Sequence, residues 1–247
     1  MTRLSVNLNK VATLRNARGG RVPDVLTAAE VCLAAGAKGI TVHPRADQRH
    51  IRPDDVTGLA ERLRQRDATD VEFNIEGDPR PDWLDLVRRV RPQQATLVPV
   101  RPGEVTSEAG WAAHDDVRTE VSDLRDRGIR VSLFVEADLD AVRWAERMGA
   151  ERVELYTEPF AAACQRGEGA QALPAYVEAA TLAHSLGLGV NAGHDLDLDN
   201  LPLFRSVPYL DEVSIGHALI SRALFVGLGR VVKEYLDLLA SEAPRGW

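Results

Sequence analysis

Two cysteines in 247 residues, Cys32 and Cys164, are too few for a disulfide framework, and they are not spaced as metal ligands. Cys32 lies in the apolar helical stretch Val31-Cys32-Leu33-Ala34, where a core role is expected. No stretch approaches the roughly 18 consecutive apolar residues of a membrane span. The opening residues Met1-Thr2-Arg3-Leu4-Ser5-Val6-Asn7 enter a strand-like run with no signal-peptide apolar segment, so a reducing cytoplasm is the expected compartment. Lysine is nearly missing (Lys10, Lys38 and Lys233), which leaves the positive charge almost entirely to arginine, whose planar fork suits phosphate. The net charge of −7 gives no basic excess for nucleic acid or an anionic membrane, and neither is an expected partner. No Gly-x-Gly-x-x-Gly turn follows the first strand-like run, and there is no His-Glu-x-x-His. No metal and no cofactor is expected.

What is present is a repeating unit. Eight β-like runs follow in order: Leu4–Asn9, Gly39–His43, Val71–Glu76, Ala95–Val100, Val131–Glu136, Arg152–Thr157, Gly189–His194 and Glu212–His217. Several are nearly continuous apolar strings, as parallel strands buried on both faces should be. Helical periodicity fills the gaps: Val56, Leu59, Ala60 and Leu63 after Pro53, then Trp83, Leu84, Val87 and Val90 before Pro92. Val117, Val121 and Leu124 form a third stripe before Gly128. Glycine recurs between helix and strand at Gly36, Gly128, Gly149 and Gly187, as a left-handed helix terminator would. With no linker or composition break, the expectation is one (β/α)₈ TIM-barrel domain over residues 1–247 with extra short helices. An open doubly wound sheet is the alternative fold. The Ala/Gly/Gln-rich segment Phe160–Leu173 is expected to be a mobile loop or a short extra helix over the site.

Polar groups gather at the downstream ends of these runs: Asn7, Asn9 and Lys10, then His43 and Arg45, then Glu76, Glu136, Glu154 with Thr157, Asn191 with His194, and His217. A barrel brings those ends to one mouth. Any one has a plain explanation: a lone histidine is usually packed or solvated, Glu154 could meet a buried partner inside the barrel, and Glu76 could cap a turn. Their convergence from separate strands is what points to a site. Arg15, Arg18 and Arg21 follow the first run, and Arg45, Arg49, His50 and Arg52 the second; an anionic ligand, phosphate, fits them. For Arg21, Arg49 and Arg52 a solvated loop is the preferred explanation. Ser214-Ile215-Gly216-His217 runs into a helix start, whose outward N–H groups make a second phosphate cradle. Two phosphate sites imply two phosphorylated substrates and a condensation.

The residues also resemble a known family. Ala12-Thr13-Leu14-Arg15-Asn16-Ala17-Arg18-Gly19, Gly39-Ile40-Thr41-Val42-His43-Pro44-Arg45 with Arg49-His50-Ile51, and Leu97-Val98-Pro99 with Glu104-Val105-Thr106 look like the signatures of the pyridoxine 5′-phosphate synthase (PdxJ) family. Val131-Ser132-Leu133-Phe134, Val190-Asn191-Ala192-Gly193-His194 and Ile215-Gly216-His217-Ala218 extend the likeness along nearly the whole chain. The resemblance implies a homo-octameric barrel of vitamin B6 biosynthesis that condenses 3-amino-2-oxopropyl phosphate with 1-deoxy-D-xylulose 5-phosphate. Its products are pyridoxine 5′-phosphate, phosphate and water. By that likeness His43 and Glu76 accept protons, His194 donates one and Glu154 stabilises a transition state. Asn7, Arg18, Gly216 and His217, with position 195 beside them, would hold the aminoketone phosphate. Arg45, His50 and Thr106 would hold the sugar phosphate, with Asn9 and Lys10 where the best-known members carry Asp-His. Those members also carry Gly where this chain has Asp195, which sets a carboxylate beside His194 and should favour its charged form.

Each step of that condensation moves protons, and none demands a metal, a redox group or an enzyme nucleophile. Two phosphate grips would supply orientation, and a closing segment would exclude water. Three other readings stand beside it: a Schiff-base aldolase using Lys10, a metal hydrolase using His43, His194 and His217, and a non-catalytic phosphosugar-binding barrel.

Overall fold

Gly36, Gly128, Gly149 and Gly187 have φ of +112°, +75°, +84° and +79°, each where the chain leaves a helix and turns toward a strand. The computed structural model describes residues 2–66, 70–100 and 109–241. Among them, eight strands run β1 (Arg3–Asn7), β2 (Gly39–Val42), β3 (Glu72–Gly77), β4 (Gln94–Leu97), β5 (Arg130–Val135), β6 (Arg152–Leu155), β7 (Gly189–Gly193) and β8 (Leu210–Ile215). All neighbours are parallel and the sheet closes β8 onto β1. The closed TIM barrel holds, and the open doubly wound sheet is excluded. Pro53 and Pro81 open the helices Pro53–Arg64 and Pro81–Val90, where a missing N–H loses nothing.

The strands are less uniformly apolar than their sequences suggest. Leu4, Val6, Ile40, Val42, Ile75, Leu97, Leu133, Leu155 and Ile215 are fully buried and join the main core. The residues between them, pointing to the opposite face, are polar. Register aligns Thr41 with Asn74, Thr96 with Ser132, Glu154 with Asn191, and Ser214 with Ser5, all buried. The core thus sits between sheet and helices, while the barrel lumen is hydrogen-bonded. Ser5 Oγ and Thr41 Oγ1 lie 2.7 Å apart, and Thr96 Oγ1 donates to Asn74 Oδ1 at 3.0 Å. A Cβ on Gly39 would come within 2.7 Å of Ser5 Cβ, so this lumen position admits no side chain.

Charge closes the N-terminal end of the lumen. Glu72, 4% exposed, takes Arg3 at 2.7 Å, Arg152 at 3.4 Å and Arg130. Arg152 also donates to Gln94 and Asn191, each at 3.3 Å. The opposite end, where the strands finish, stays open.

Strand ends depart from their sequence reading: the fourth strand stops at Leu97 and the eighth at Ile215, with His217 opening a helix. Two segments depart further. The first strand stops at Asn7, and Asn9 and Lys10 begin the helix Asn9–Asn16, so neither is a strand residue. The segment 160–173 forms helix at both ends, within Glu158–Gln165 and Gly169–Ser185. Of the two expectations for it, the extra helix is the one that forms. Phe160 is fully buried, its ring 5.0 Å from Phe204 and 5.6 Å from Tyr176, which anchors the first of these helices in the core.

Candidate active site

At the C-terminal end of the barrel lies a cavity of about 390 Å³, and every strand lends it a residue. Asn7 ends β1, His43 follows β2, Glu76 lies near the end of β3, Val98 follows β4, and Phe134 comes from β5. Glu154 comes from β6, His194 follows β7, and Gly216 follows β8. The period-two alternation that makes the lumen polar also aims most of these groups inward, while His194 turns in through a left-handed backbone at φ +64°.

Two carboxyls and an imidazole occupy the floor. His43 Nδ1 is 3.8 Å from Glu76 Oε2, and Asn7 Nδ2 donates to the same oxygen at 3.3 Å. Burial, then the neighbouring His50, Arg45, Arg80 and His194, hold His43 well below the ordinary imidazole range, so its ring is neutral with a nitrogen lone pair open to a proton. Burial pushes Glu76 up to about 7, against the Asn7 hydrogen bond, which favours the carboxylate. Glu154 rises to about 8 through burial and then the charge of Glu76, so it is predominantly protonated at neutral pH. His43 Nε2, Glu154 Oε2 and Ser214 Oγ are buried and without a hydrogen-bond partner among the described residues. A polar substrate would satisfy them.

The wall beside β2 is cationic. Lys10, Arg45, Arg49 and His50 all line the cavity. His50 Nδ1 accepts from the Ile51 amide at 3.0 Å, which puts the proton of the neutral ring on Nε2. Burial, then Arg45 and Lys10, bring this ring down to about 4, so it serves as a neutral donor. On the far side, the helix His217–Val226 begins behind Gly216, with the Ile220 amide bonded to Gly216 O at 2.9 Å. The amides of residues 217–219 precede that first helical bond, the position in a helix from which N–H groups bind anions.

Most of the expected residues meet here. Asn7, Asn9, Lys10, His43, Arg45, His50, Glu76, Glu154, His194, Asp195, Gly216 and His217 all line the cavity. Arg18 does not: it is exposed beyond the end of the helix Asn9–Asn16. Thr106 lies outside the described residues. Arg15, grouped with the anion-binding arginines in sequence, is buried and committed to Asp55, at 2.5 and 2.9 Å. Arg15 and Asn16 also hold His50 O, at 3.2 and 2.8 Å, so this stretch braces the loop that carries the cationic wall. Asn9 does similar work, accepting from the His43 amide at 2.9 Å. Three other strand-end groups serve the scaffold: Glu136 accepts from the Gly110 amide at 3.0 Å, Thr157 Oγ1 donates to Gly193 O, and Asn191 meets Arg152.

Sequence reading missed Thr13, Val98, Phe134 and Ser214 as lining residues, and it favoured a solvated loop for Arg49, which lines the cavity too. Strand alternation counted from Glu154 or Glu76 could have found Phe134 and Ser214 through register. Thr13 and Arg49 carry no signal separable from their neighbours.

The chain matches the family described as pyridoxal phosphate biosynthesis protein PdxJ over residues 4–241. It is 53% identical over 244 residues to a pyridoxine 5′-phosphate synthase of Porphyromonas gingivalis, covering 97% of this chain and 100% of that one. A pyridoxine 5′-phosphate synthase of Bacteroides fragilis is 54% identical over 243 residues, with the same coverage. Among solved structures, tryptophan synthase from M. tuberculosis superposes with a TM-score of 0.66 at 12% identity, over 98% of this chain and 93% of that one. Phosphoribosyl anthranilate isomerase from Thermotoga maritima gives 0.59 at 14%, over 97% and 98%. At those identities the structural likeness carries the fold alone.

Proposed function

Because the chain belongs to the PdxJ family of pyridoxal phosphate biosynthesis proteins, we propose that its cavity condenses 3-amino-2-oxopropyl phosphate with 1-deoxy-D-xylulose 5-phosphate. The products are pyridoxine 5′-phosphate, inorganic phosphate and water, a step of vitamin B6 biosynthesis. The observation that carries the assignment is the gathering of His43, Glu76, Glu154 and His194 on one cavity between a cationic wall and a helix N-terminus.

In this reading the amine attacks the sugar ketone while the two phosphates are held apart at fixed points. Lys10, Arg45 and His50 grip the sugar phosphate; Asn7 and the amides after Gly216 grip the aminoketone phosphate. Neutral His43 and Glu76, which ionises near pH 7, accept the protons released by the amine and by carbon. His194 returns a proton to a departing hydroxyl. Glu154 is protonated and donates a hydrogen bond to oxygen that gains charge in the transition state. Holding both partners turns a bimolecular encounter into a local one. Arg18, exposed and off the cavity lining, and Thr106 are assigned to their phosphates by likeness alone.

The same reading includes self-association, with an octamer as the family expectation, in the cytoplasm. Leu14, Val22, Leu224 and Phe225 support association: these apolar side chains are 51%, 82%, 68% and 88% exposed. No helix among the described residues is long and apolar enough to cross a membrane.

The test is incubation of purified protein with both phosphorylated substrates and chromatographic detection of pyridoxine 5′-phosphate. His43→Ala and Glu76→Gln should each abolish product while the far-ultraviolet spectrum stays native. Turnover near the parent rate in either variant removes that residue from the mechanism.

A further inference from the structure

Asp195 lines the cavity, yet its carboxylate is already engaged by the neighbouring side chain. Its Oδ2 is 2.5 Å from His194 Nδ1, a direct contact at the short end of hydrogen bonding between an imidazole N–H and a carboxylate. Both side chains are about one-third exposed, so water reaches them without displacing them. The backbone that sets up this contact is held on several sides. His194 has φ of +64°, a left-handed conformation that costs energy outside glycine. It is held by the His194 amide on Ser214 O at 3.2 Å and the Asp195 amide on Gly193 O at 2.9 Å. Buried Asn200 donates to Asp195 O at 3.1 Å. Tyr156 sets its ring edge-on to His194, centroids 6.2 Å apart.

We propose that Asp195 is a positioning residue for the proton donor, acting through His194 and making no substrate contact of its own; this deepens the functional reading above and rests on it. With an acceptor at Nδ1, that nitrogen keeps its hydrogen in both protonation states of the ring. Proton exchange with substrate then falls to Nε2, on the other side of the imidazole. In the donating step the Nε2–H bond breaks and its proton joins the departing hydroxyl. The substrate C–O bond breaks with its electron pair on oxygen, and water leaves. His194 is then neutral, still donating Nδ1–H to Asp195, and Nε2 regains a proton from solvent for the next turnover. The left-handed turn has a purpose in this scheme: it brings two successive side chains to one side of the chain, so adjacent residues can form the pair.

Two measurements decide this. In a double-mutant cycle, Asp195→Asn in the parent should lower kcat about 10²-fold, the low end for one well-placed acid, with KM for either substrate changed less than about threefold. The same substitution in a His194→Gln background should change kcat less than about twofold, because nothing is left for it to position. A raised KM at unchanged kcat, or an equal loss in both backgrounds, overturns the proposal in favour of a direct substrate contact. Independently of turnover, the protein labelled with ¹⁵N-histidine should show the His194 ring, assigned by its loss in His194→Gln, as the Nδ1–H tautomer when neutral. Asp195→Asn should weaken that preference. An Nε2–H tautomer in the parent protein sinks the proposal. If the parent makes no pyridoxine 5′-phosphate, the functional reading fails, and the tautomer still reports on the pair.

Discussion

Replacing Glu154 with glutamine should stabilise the protein at pH 8 relative to its effect at pH 5, while lowering activity. The carboxyl is 4% exposed, and burial followed by the charge of Glu76 raises it from 4.5 to about 8. Between those limits the folded chain holds a proton that the unfolded chain has released. Stability contributed by this group is therefore fully present below pH 4.5 and is lost as pH climbs toward 8, the reverse of a salt-bridged carboxylate. At about 1.4 kcal/mol per pH unit the whole interval is worth about 4–5 kcal/mol, of which about 3–4 kcal/mol falls between pH 5 and pH 8. Glutamine keeps the shape and the donor but does not titrate. Urea unfolding of parent and Glu154→Gln at both pH values measures the loss of this carboxyl together with its coupling to Glu76, because groups remote from both cancel in the double difference. A pH-dependent gain under about 1 kcal/mol, or one of opposite sign, would mean the buried carboxyl is ionised in the native state, and its role as hydrogen-bond donor would fall with it.

Arg15→Leu or Asp55→Leu alone should cost about 3–5 kcal/mol by leaving a buried charge unpaired, and the double replacement should recover most of it; calorimetric melting of the three variants checks this. Gly39→Ala should cost about 1–3 kcal/mol, since its Cβ would meet Ser5 Cβ at 2.7 Å in the closed lumen, and Ser5→Gly should relieve it. Lys10→Met should raise KM for the sugar phosphate with kcat little changed, and inorganic phosphate should inhibit the variant less than the parent; an unchanged KM removes Lys10 from that grip.

The strands were legible because they are short apolar runs, all but the fourth closed by a polar group, and the helices between them because their stripes keep a 3.6-residue period. Trp83, Leu84, Val87 and Val90 are buried together as their spacing predicts. His43, Glu76 and His194 stood out because acids and bases at strand ends have no other common reason to be there. Arg15 and Arg18 show where that reasoning stops. Both are arginines after the first strand, yet one is locked to Asp55 in the interior and the other is exposed. A guanidinium looks the same in sequence whether its partner is a substrate or a carboxylate 40 residues away.

The order of strands, helices and strand-end polar groups followed from the sequence alone, since periodicity and turn chemistry are local properties of the chain. Closure decided the rest. Only when β8 pairs with β1 does one face of every strand become a lumen, which buries Ser5, Asn74, Ser132 and Glu154 inside one barrel and dries the carboxyls at the mouth. Proton affinity depends on surroundings supplied by distant strands, so the raised values of Glu76 and Glu154 and the lowered value of His43 belong to the tertiary structure.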